Sequence, residues 1–356
     1  MAEQILVIGA TLLDSRGKPD AGLAPGTSNP AQIRVTRGGT ARNVAENLGR
    51  LGAGVRLISA VGDDLIGYRL KTQTAESGVD TEHVQIISGE YTGAYIAVLE
   101  ANGALSVAMD DVRVLRHITP GYLDRNRSLF KEADMVMMDG SLTPDSMATV
   151  ARLCAKYDKP LCADPSSARL AYKLRPFLDQ LHLVVPNEVE AAALCEVDFD
   201  GPDPEASLAL ARSLVGKGVA NVVVTLADFG LDYATNSETG YIPANYSEYV
   251  DATGTGDAVT AAIMFGMVND LPPIEAIRLG ALRSTVDLIE REGAALPAAG
   301  NEPHLSDAQK QARLAAIEAS NARSKYHFDT SALARAKQSV SELDRRLNVI
   351  TRVSEV

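Results

Sequence analysis

The stretch Asp251-Ala-Thr-Gly-Thr-Gly-Asp257 is a loop rich in glycine and threonine, and it runs directly into an apolar segment, Ala258–Val268, that carries no charge. Glycine lets the backbone turn tightly, and the helix that the apolar segment predicts adds a partial positive charge at its N-terminus. Both features favour a bound phosphate at this point of the chain. Asp257, at the start of that helix, has two interpretations: an acid that complements the helix dipole, or a catalytic base beside the phosphate.

Other common phosphate-binding loops do not occur in the sequence. The pattern G-x-x-x-x-G-K-[ST] is absent. The segment after the first predicted strand, Gly9-Ala-Thr-Leu-Leu-Asp14, lacks the G-x-G-x-x-G fingerprint of dinucleotide sites. The loop before Asp257 is therefore the main candidate for a phosphate site.

Composition and charge narrow the class of protein. The 356 residues are 46% hydrophobic, which is enough for one large α/β domain with a sizeable core. The net charge of −12, with no basic block, argues against a nucleic-acid partner. No apolar run approaches the roughly 20 residues that span a bilayer, and the N-terminus lacks the cationic region of a signal peptide. Three scattered cysteines without a CxxC pair indicate reduced thiols, so we expect a cytoplasmic protein.

Short apolar runs alternate with helical patterns along most of the chain. This alternation predicts right-handed β-α-β units, and hence an α/β fold with a central, mostly parallel sheet and helices on both faces. The predicted strands are Ile5–Ile8, Arg56–Val61, Met135–Met138, Leu161–Ala163, Leu183–Val185 and Val222–Leu226. The predicted helices include Thr40–Leu51, Leu65–Ser77, Asp145–Tyr157, Glu188–Cys195 and Glu205–Lys217.

Two segments interrupt this alternation, and we expect them to form a small β-sheet lid. Residues 14–37 contain a loop rich in Gly, Pro, Ser and Asn, followed by the alternating run Gln32–Thr36. Residues 83–111 contain strand-like runs separated by Gly89 and by Asn102-Gly103, a dipeptide typical of hairpin turns. A sheet at the rim of an α/β domain can close over a ligand, and a purely structural sheet edge is the alternative.

The C-terminal part of the chain has a different character. The segments 306–324 and 331–349 are rich in alanine and charged residues with helical spacing. We therefore predict one domain over residues 1–300, with the lid inserted into it, and a helical extension over residues 301–356.

Several motifs together resemble the PfkB carbohydrate kinases, a family with the ribokinase-like fold. The loop Asp251–Asp257 is similar to the family's C-terminal signature D-x-T-G-x-G-D, and Asn187-Glu-Val-Glu190 is similar to its N-x-x-E element. The N-terminal signature corresponds to Arg37–Gly52 followed by Ser59–Gly67, and the strand Val222–Leu226 is a further match. Because these motifs occur in the family's order over most of the chain, coincidence is a poor explanation.

The resemblance implies an ATP-dependent kinase and assigns roles around the glycine-rich loop. Asp257 is expected to take the proton from the acceptor hydroxyl. The anion hole for the γ-phosphate is expected at the backbone N–H groups of Gly254, Thr255 and Gly256. Phosphoryl transfer depends mostly on positioning and charge stabilisation, which is what these groups supply.

The resemblance also implies bound cations. Asn187 and Glu190 are expected to organise Mg²⁺, largely through water molecules, because this cation dehydrates reluctantly. For Glu190, an ordinary acid in the first turn of a helix is the alternative. Asp251 and Thr253 match positions near which several relatives hold a monovalent cation such as K⁺.

The nucleotide side departs from the family's pattern at one position. The family strand usually continues T-L-G-x-x-G, whereas this chain reads Thr225-Leu-Ala-Asp-Phe-Gly230. Thr225, Ala227 and Gly230 are expected to contact the nucleotide. The methyl group of Ala227, where the backbone approaches the nucleotide, can weaken or alter binding without abolishing it.

On the acceptor side, four residues match sugar-contacting positions of the family. Asp14 can accept hydrogen bonds from two sugar hydroxyls. Gly38 and Gly39 allow the backbone to approach the sugar closely. Asn43, in the first turn of the next helix, can both donate and accept.

Two further positions near the acceptor are less clear. Asp139 ends the strand Met135–Met138 and faces the expected crevice, so it either contacts the acceptor or is a simple strand-end acid. Leu12 stands where many relatives have Asn, which removes one expected polar contact with the sugar.

Within the family, the chain is most similar to the pseudouridine kinases, and this implies phosphorylation of the 5′-hydroxyl of pseudouridine. The segments that carry the similarity are Ser28-Asn-Pro30, Gly38–Asn47, Ile58–Gly62, Thr72-Gln-Thr74, Ser77-Gly-Val79 and Thr92–Tyr95. A flat uracil would lie under the lid, with Tyr95 packing nearby and Asp110 or Asp111 reading an edge of the base. For Tyr95, packing between strands is the alternative.

Other functions remain open at the level of sequence. The acceptor is a small-molecule nucleoside or sugar, and ribose or an adenosine-like riboside are alternatives to pseudouridine. A nucleoside-binding regulator without chemistry is a further alternative, against which the intact Asp257 and its loop argue. The family resemblance also implies a homodimer formed through the lid sheet.

Overall fold

The computed structural model describes residues 4–103, 105–199, 201, 204–226, 230–243 and 254–281. The predicted extension over 301–356 lies outside these residues, as do the predicted site residues Ala227, Asp251 and Thr253. The strands are β1 (Gln4–Ile8), β2 (Leu12–Pro19), β3 (Ala31–Gly38), β4 (Gly54–Gly62), β5 (Val79–Asp80), β6 (Val84–Ile87), β7 (Gly93–Leu99), β8 (Leu105–Asp111), β9 (Met135–Asp139), β10 (Leu161–Asp164), β11 (Leu181–Val184), β12 (Asn221–Thr225), β13 (Gly230–Thr235) and β14 (Thr239–Pro243). The helices are α1 (Thr40–Arg50), α2 (Leu65–Ala75), α3 (Pro120–Arg125), α4 (Arg127–Glu132), α5 (Pro144–Tyr157), α6 (Ala168–Ala171), α7 (Glu188–Cys195), α8 (Pro204–Gly216) and α9 (Thr255–Val268), with 3₁₀ segments at Arg113–His117 and Tyr172–Gln180.

The central sheet has 10 strands in the order β14-β13-β12-β11-β10-β9-β1-β4-β5, and β6 also pairs with β4. Its pairs are parallel, except for β12 with β13 and β13 with β14. Parallel neighbours require crossover connections, which the helices between the strands provide. The α/β fold with a mostly parallel central sheet, predicted from the alternating sequence, is confirmed.

Apolar cores lie on both faces of the central sheet, and β1 contributes to each. Ile5 and Val7 pack in the core that α1 and α9 cover. Leu6 and Ile8 point the other way and pack in the core that α5, α7 and α8 cover. All four are at most 1% exposed, and burying such a side chain fully stabilises the fold by about 1.5–3 kcal/mol.

A separate four-stranded sheet in the order β3-β2-β7-β8, which we call the lid sheet, accounts for the predicted β layer. The expectation of a loop from residue 14 onwards is wrong for the first part of that segment. Leu12–Pro19 is a strand that pairs with β3 on one side and with β7 on the other. Pairing on both sides overrides the polar, glycine-containing sequence of this strand.

The expectation that the lid resumes at residue 83 is also wrong. The strand β6, Val84–Ile87, pairs in parallel with Ser59–Gly62 of the central sheet. Val84 is 2% exposed there, and packing its side chain into the central core explains the placement. The second segment of the lid sheet therefore begins at Gly93.

Strand register gives the lid sheet two unlike faces. Asp14, Tyr95 and Asp110 are direct cross-strand partners, so they share one face, which we call the inner face because Asp14 is 9% exposed. The alternate positions form the opposite, outer face. Its large apolar side chains are 44–70% exposed: Ile33, Val35, Ile96, Val107 and Met109.

Asp64 ties the lid sheet to the central sheet. Its carboxylate caps α2 by accepting from the backbone N–H of Gly67 at 2.7 Å. The same carboxylate accepts from the backbone N–H and the hydroxyl of Thr92, both at 2.7 Å, directly before β7. Partial burial opposes ionisation, but the hydrogen bonds from Thr92 and Gly67 outweigh it and lower the pKa of Asp64.

Cys154, Cys162 and Cys195 are free and buried, and burial raises the pKa of Cys154 to about 12. Within the part of the chain that the structure describes, no helix is both long and apolar enough to cross a bilayer.

Candidate active site

The candidate site lies where the parallel strands of the central sheet reach their carboxyl ends. The chain places β4 on one side of β1 and β9 on the other, so the strand order switches direction at β1. In open α/β sheets, ligands bind outside the carboxyl ends of the strands at such a switch point. The first turns of α1, α7 and α9 contribute side chains to this region, as the following contacts show.

Asn43 and Asp257, which are 214 residues apart in the sequence, meet in this site. The amide Nδ2 of Asn43 donates to Oδ2 of Asp257 at 2.7 Å. The contact forms because α1 and α9 pack side by side over the same face of the sheet. The predicted acceptor-binding residue is thus in direct contact with the predicted base.

The N-terminus of α9 has the geometry of an anion site. Gly254 occupies the N-cap position with a positive φ of 79°, and no side chain of the described residues caps the helix. The first hydrogen bond inside the helix runs from the N–H of Ala258 to the carbonyl of Gly254 at 3.0 Å, so the N–H groups of residues 255–257 precede it. A Cβ added to Gly256 would meet no atom of the described residues within 4 Å. Open space over an uncapped helix N-terminus fits a phosphate group.

Asn187 and Glu190 form a capping box at the start of α7. Oδ1 of Asn187 accepts from the N–H of Glu190, and Oε2 of Glu190 accepts from the N–H of Asn187, both at 2.9 Å. Burial, together with the nearby charge of Asp257, raises the pKa of Glu190 to about 7. The first-turn role of Glu190 is therefore present in the structure, and its role toward Mg²⁺ stays a prediction.

Asp164 is a site residue that the sequence reasoning missed. It ends β10, is 7% exposed, and accepts from the backbone N–H of Ser166 at 2.8 Å. Burial raises the pKa of Asp164, and the charges of Glu190 and Asp257 raise it further. The signal available in the sequence was Ala163-Asp164-Pro165, an acid at a strand end followed by proline.

The spacing and charge of these carboxylates indicate which kind of metal ion could bind here. The charge of Asp257 raises the pKa of both Asp164 and Glu190, and the charge of Glu190 also raises that of Asp164, so a nearby cation would lower the cost of ionising them. Within the described residues, no group of three or more His, Cys, Asp or Glu side chains has the geometry to hold a metal ion directly. The arrangement fits Mg²⁺ that keeps much of its water shell.

The acceptor side of the site contains two adjacent glycines, Gly38 and Gly39. A Cβ on Gly38 would overlap the carboxylate of Asp14, and one on Gly39, whose φ is +96°, would overlap the carbonyl of Ala10. These positions therefore require glycine because of the protein's own packing, and their contact with the acceptor stays a prediction. Leu12, where many relatives have Asn, is 7% exposed and packs in the core, so it offers no polar group.

A buried ion-pair network that sequence reasoning missed supports these glycines. Arg42, 3% exposed, donates from Nε to the carbonyl of Gly38 at 2.8 Å and pairs with Glu46. Glu46 also pairs with Arg37 at 3.0 Å and with Arg50 at 2.6 Å. The spacing of Arg42, Glu46 and Arg50 along α1 places them on one side of the helix.

The structure contradicts the interpretation of Asp139 as an acceptor contact. Asp139 is 0% exposed. Its Oδ2 accepts from the N–H of Ala10 at 2.8 Å and of Ala41 at 3.1 Å, and its Oδ1 accepts from the N–H of Ser141 at 3.0 Å. Burial raises the pKa of Asp139, although these hydrogen bonds favour the charged form. The residue fixes the loops after β1 and β9 from within.

Asp110 and Asp111 are neighbours in the sequence but lie on opposite faces of the lid sheet. Asp110 is exposed and lies beside Tyr95. Asp111 lies on the outer face, where Arg113 donates to it from Nε at 2.9 Å, and hydrogen bonds from Arg113 lower the pKa of Asp111 to about 2. Tyr95 packs partly against the core, and burial raises its pKa. Asp110, rather than Asp111, is the acid placed toward the crevice.

Two of the three residues predicted to contact the nucleotide, Thr225 and Gly230, lie among the described residues. Thr225 ends β12 and forms an isolated bridge with Asn187, while its N–H donates to the carbonyl of Pro186 at 2.9 Å. Gly230 begins β13 with a φ of 111°, and its carbonyl accepts from the N–H of Leu226 at 2.9 Å. Thr225 is thereby set beside the residues of the capping box.

Comparisons with known proteins agree with this architecture. Residues 2–299 match the family described as pfkB family carbohydrate kinase. The chain is 31% identical over 277 residues to a pseudouridine kinase of Escherichia coli strain K12, covering 78% of this chain and 87% of that protein. It is 26% identical over 279 residues to a guanosine-inosine kinase of Exiguobacterium acetylicum, covering 78% of this chain and 91% of that protein.

Solved structures give the same fold. The structure of an Arabidopsis thaliana ribokinase complexed with ribose and ATP superposes with a TM-score of 0.70 at 20% identity, covering 89% of this chain and 99% of that one. At that identity the likeness concerns the fold alone. The family match adds what the fold alone does not give: the class is that of small-molecule kinases. Because the family match spans nearly the whole chain, the protein belongs to the PfkB carbohydrate kinase family.

Proposed function

We propose that the protein transfers the γ-phosphoryl group of ATP to the 5′-hydroxyl of pseudouridine, giving pseudouridine 5′-phosphate and ADP. The observation that carries the kinase part is the 2.7 Å hydrogen bond between Asn43 and Asp257 at the uncapped start of α9. It sets an acceptor-binding amide, a base and an anion site side by side. The similarity to the pseudouridine kinase of Escherichia coli supports the choice of acceptor.

The residues of the site divide the work of the reaction. Asn43 and Asp14 orient the acceptor, and Gly38 and Gly39 let the backbone pass close to Asp14 and Ala10 beside it. Asp257 accepts the proton of the 5′-hydroxyl as the oxygen attacks phosphorus. The N–H groups at the start of α9, from Gly254, Thr255 and Gly256, stabilise the charge on the phosphoryl oxygens during transfer.

Two cations, Mg²⁺ and K⁺, are proposed to bind near the phosphates. Mg²⁺, when bound, offsets negative charge on the phosphates. Asn187 and Glu190 would hold it through water, and Asp164 adds a third nearby carboxylate. Asp251 and Thr253, outside the described residues, are proposed to hold K⁺, and Thr225, Ala227 and Gly230 to contact the nucleotide.

The base of the acceptor would lie against the inner face of the lid sheet. Tyr95 offers an aromatic ring there, and aromatic rings pack favourably on flat apolar surfaces. Asp110 lies beside it and can accept a hydrogen bond from a ring N–H. The resemblance to pseudouridine kinases, the half-buried ring and the exposed acid support a nucleoside over a free sugar.

A panel of acceptors tests the proposal. Purified protein with ATP and Mg²⁺ is offered pseudouridine, uridine, guanosine, inosine and ribose, and ADP formation and phosphorylated product are both measured. We expect the highest kcat/KM with pseudouridine and loss of turnover when EDTA replaces Mg²⁺. Turnover of ribose or guanosine without turnover of pseudouridine would reject the acceptor and leave the family assignment intact. Tight nucleoside binding without ADP formation would favour a binding protein.

We also propose a homodimer through the outer face of the lid sheet. Its exposed apolar side chains form a continuous surface of a kind that monomers seldom leave open to water. A second copy placing the same surface against it would bury those side chains symmetrically.

Introducing two lysines on the outer face tests the proposed dimer. The double variant Ile33→Lys, Val107→Lys is expected to shift the protein from dimer to monomer in sedimentation velocity, because lysines would face one another across the interface. Val197→Lys is the matched control, since Val197 is 52% exposed but lies outside the lid sheet. A monomeric wild type, or a double variant that stays dimeric, would reject this interface.

The free, buried thiols support a further part of the proposal, a cytoplasmic location.

A further inference from the structure

Lys173 is a cation at the acceptor side of the site to which neither the family motifs nor the reaction above gives a role. It lies in the 3₁₀ segment Tyr172–Gln180. Its ammonium donates to the carbonyl of Gly140 at 3.0 Å and to that of Leu142 at 3.1 Å. Both carbonyls follow the carboxyl end of β9, so the side chain is fixed at the edge of the sheet that forms the crevice.

Lys173 lies near an acid of the lid sheet without pairing with it. Asp139, buried beneath the loop, and Asp110, on the inner face of the lid sheet, are the acids whose charges act on the ammonium. No ion pair within 4.0 Å joins Lys173 to either acid in the described part of the chain. Asp110 itself has no hydrogen-bond or ion-pair partner among the described residues. A gap therefore separates a cation on the body from an anion on the lid sheet.

The hydrogen-bonding capacity of both groups is incompletely used. An ammonium group has three N–H donors, of which the two carbonyls take two. An ionised carboxylate only accepts, and Asp110 is exposed beside Tyr95. The gap thus presents one strong donor and one strong acceptor on either side of the space that a base would enter.

We infer that Lys173 and Asp110 together read the edge of the acceptor's base: Lys173 donates to a ring carbonyl oxygen, and Asp110 accepts from an adjacent ring N–H. This inference rests on the proposed function, because it requires a nucleoside with an N–H beside a C=O. Uracil linked through carbon keeps both of its ring N–H groups, each next to a carbonyl. A free sugar presents neither pattern at this position.

The test is Lys173→Met, which keeps the aliphatic length and removes the donor. We expect the KM and the dissociation constant of the nucleoside to rise about 10- to 100-fold, the loss typical of a hydrogen bond from a charged group. The KM of ATP and kcat at saturating nucleoside should stay within about twofold of the wild type. Lys131→Met, at an exposed lysine on α4, is the control and should change none of these values.

Asp110→Ala gives a second arm that does not depend on the fold of the body. Because Asp110 is exposed on the lid sheet, its removal should leave thermal stability unchanged and raise the dissociation constant of the nucleoside in the same direction. If Lys173→Met does not fold, Asp110→Ala and the cation-preserving Lys173→Arg carry the test. Lys173→Arg should then bind the nucleoside more tightly than Asp110→Ala.

The outcomes separate this inference from the proposed acceptor. If wild-type protein uses uridine, inosine or guanosine rather than pseudouridine, the proposed acceptor is wrong, and a raised KM for the nucleoside that is used supports Lys173. If pseudouridine is turned over and both variants bind it as tightly as wild type, the inference about Lys173 and Asp110 is overturned alone. If only ribose is turned over, both proposals are overturned.

Discussion

Replacing Asp257 by Asn is expected to lower kcat by about 10²- to 10⁴-fold, the usual contribution of a positioned general base. Asparagine keeps the size of the side chain and can still hydrogen-bond to Asn43, but it cannot take the acceptor proton. The KM values of ATP and of the acceptor should change little, because the N-terminus of α9 and the lid sheet remain in place. Steady-state kinetics of both substrates checks this.

Asp145→Asn is the matched control for this variant. Asp145 is also an acid in the first turn of a helix, α5, but its side chain is exposed and makes no hydrogen bond or ion pair in the described part of the chain. It should retain wild-type kcat, and its stability should fall by no more than about 1 kcal/mol, the scale of a helix-dipole contact. Wild-type kcat in Asp257→Asn would show that the acid is a helix-terminal acid only.

Replacing Asp139 by Ala is expected to destabilise the protein by about 3 kcal/mol or more, since each buried unpaired donor costs about 1–3 kcal/mol. The change leaves the N–H groups of Ala10, Ala41 and Ser141 without the acceptor that they share. The midpoint of thermal or urea unfolding measures the loss.

Asp134→Ala is the control for the buried acid. Asp134 also accepts one backbone N–H, that of Gln4 at 2.8 Å, but it does so at the surface. Its loss should cost about 0.5–1.5 kcal/mol. If Asp139→Ala is as stable as Asp134→Ala and instead binds the acceptor more weakly, the rejected acceptor role of Asp139 would have to be restored.

The central sheet could be predicted because its strands are buried on both faces. Ile5–Ile8 and Met135–Met138 are short, continuous apolar runs between helical patterns, and this is the signature of a parallel strand. The strand β2 could not be predicted in the same way. Its sequence, Leu12–Pro19, is mostly polar, and it becomes a strand because β3 and β7 pair with it.

Some residues of the candidate site could also be predicted from the sequence, and others could not. The roles proposed for Asp257 and Asn43 came from motifs with fixed spacing, and the structure brings these two residues into contact. Asp164 and Lys173 carry no motif, and only the sheet order and a 3₁₀ segment bring them near the proposed site. Asp139 is the opposite case. As an acid at a strand end it looks like a site residue in the sequence, but it is fully buried and its carboxylate accepts hydrogen bonds from backbone N–H groups.

The position of the transferred phosphate tests the central claim most directly. Wild-type protein is incubated with ATP, Mg²⁺ and pseudouridine, and the products are identified by phosphorus NMR and mass spectrometry. We predict a monoester on the 5′-oxygen of pseudouridine, formed in equal amount to ADP, and no such product with Asp257→Asn over the same time. ADP formed without a phosphorylated nucleoside, or a phosphate on another acceptor in its place, would contradict the proposal.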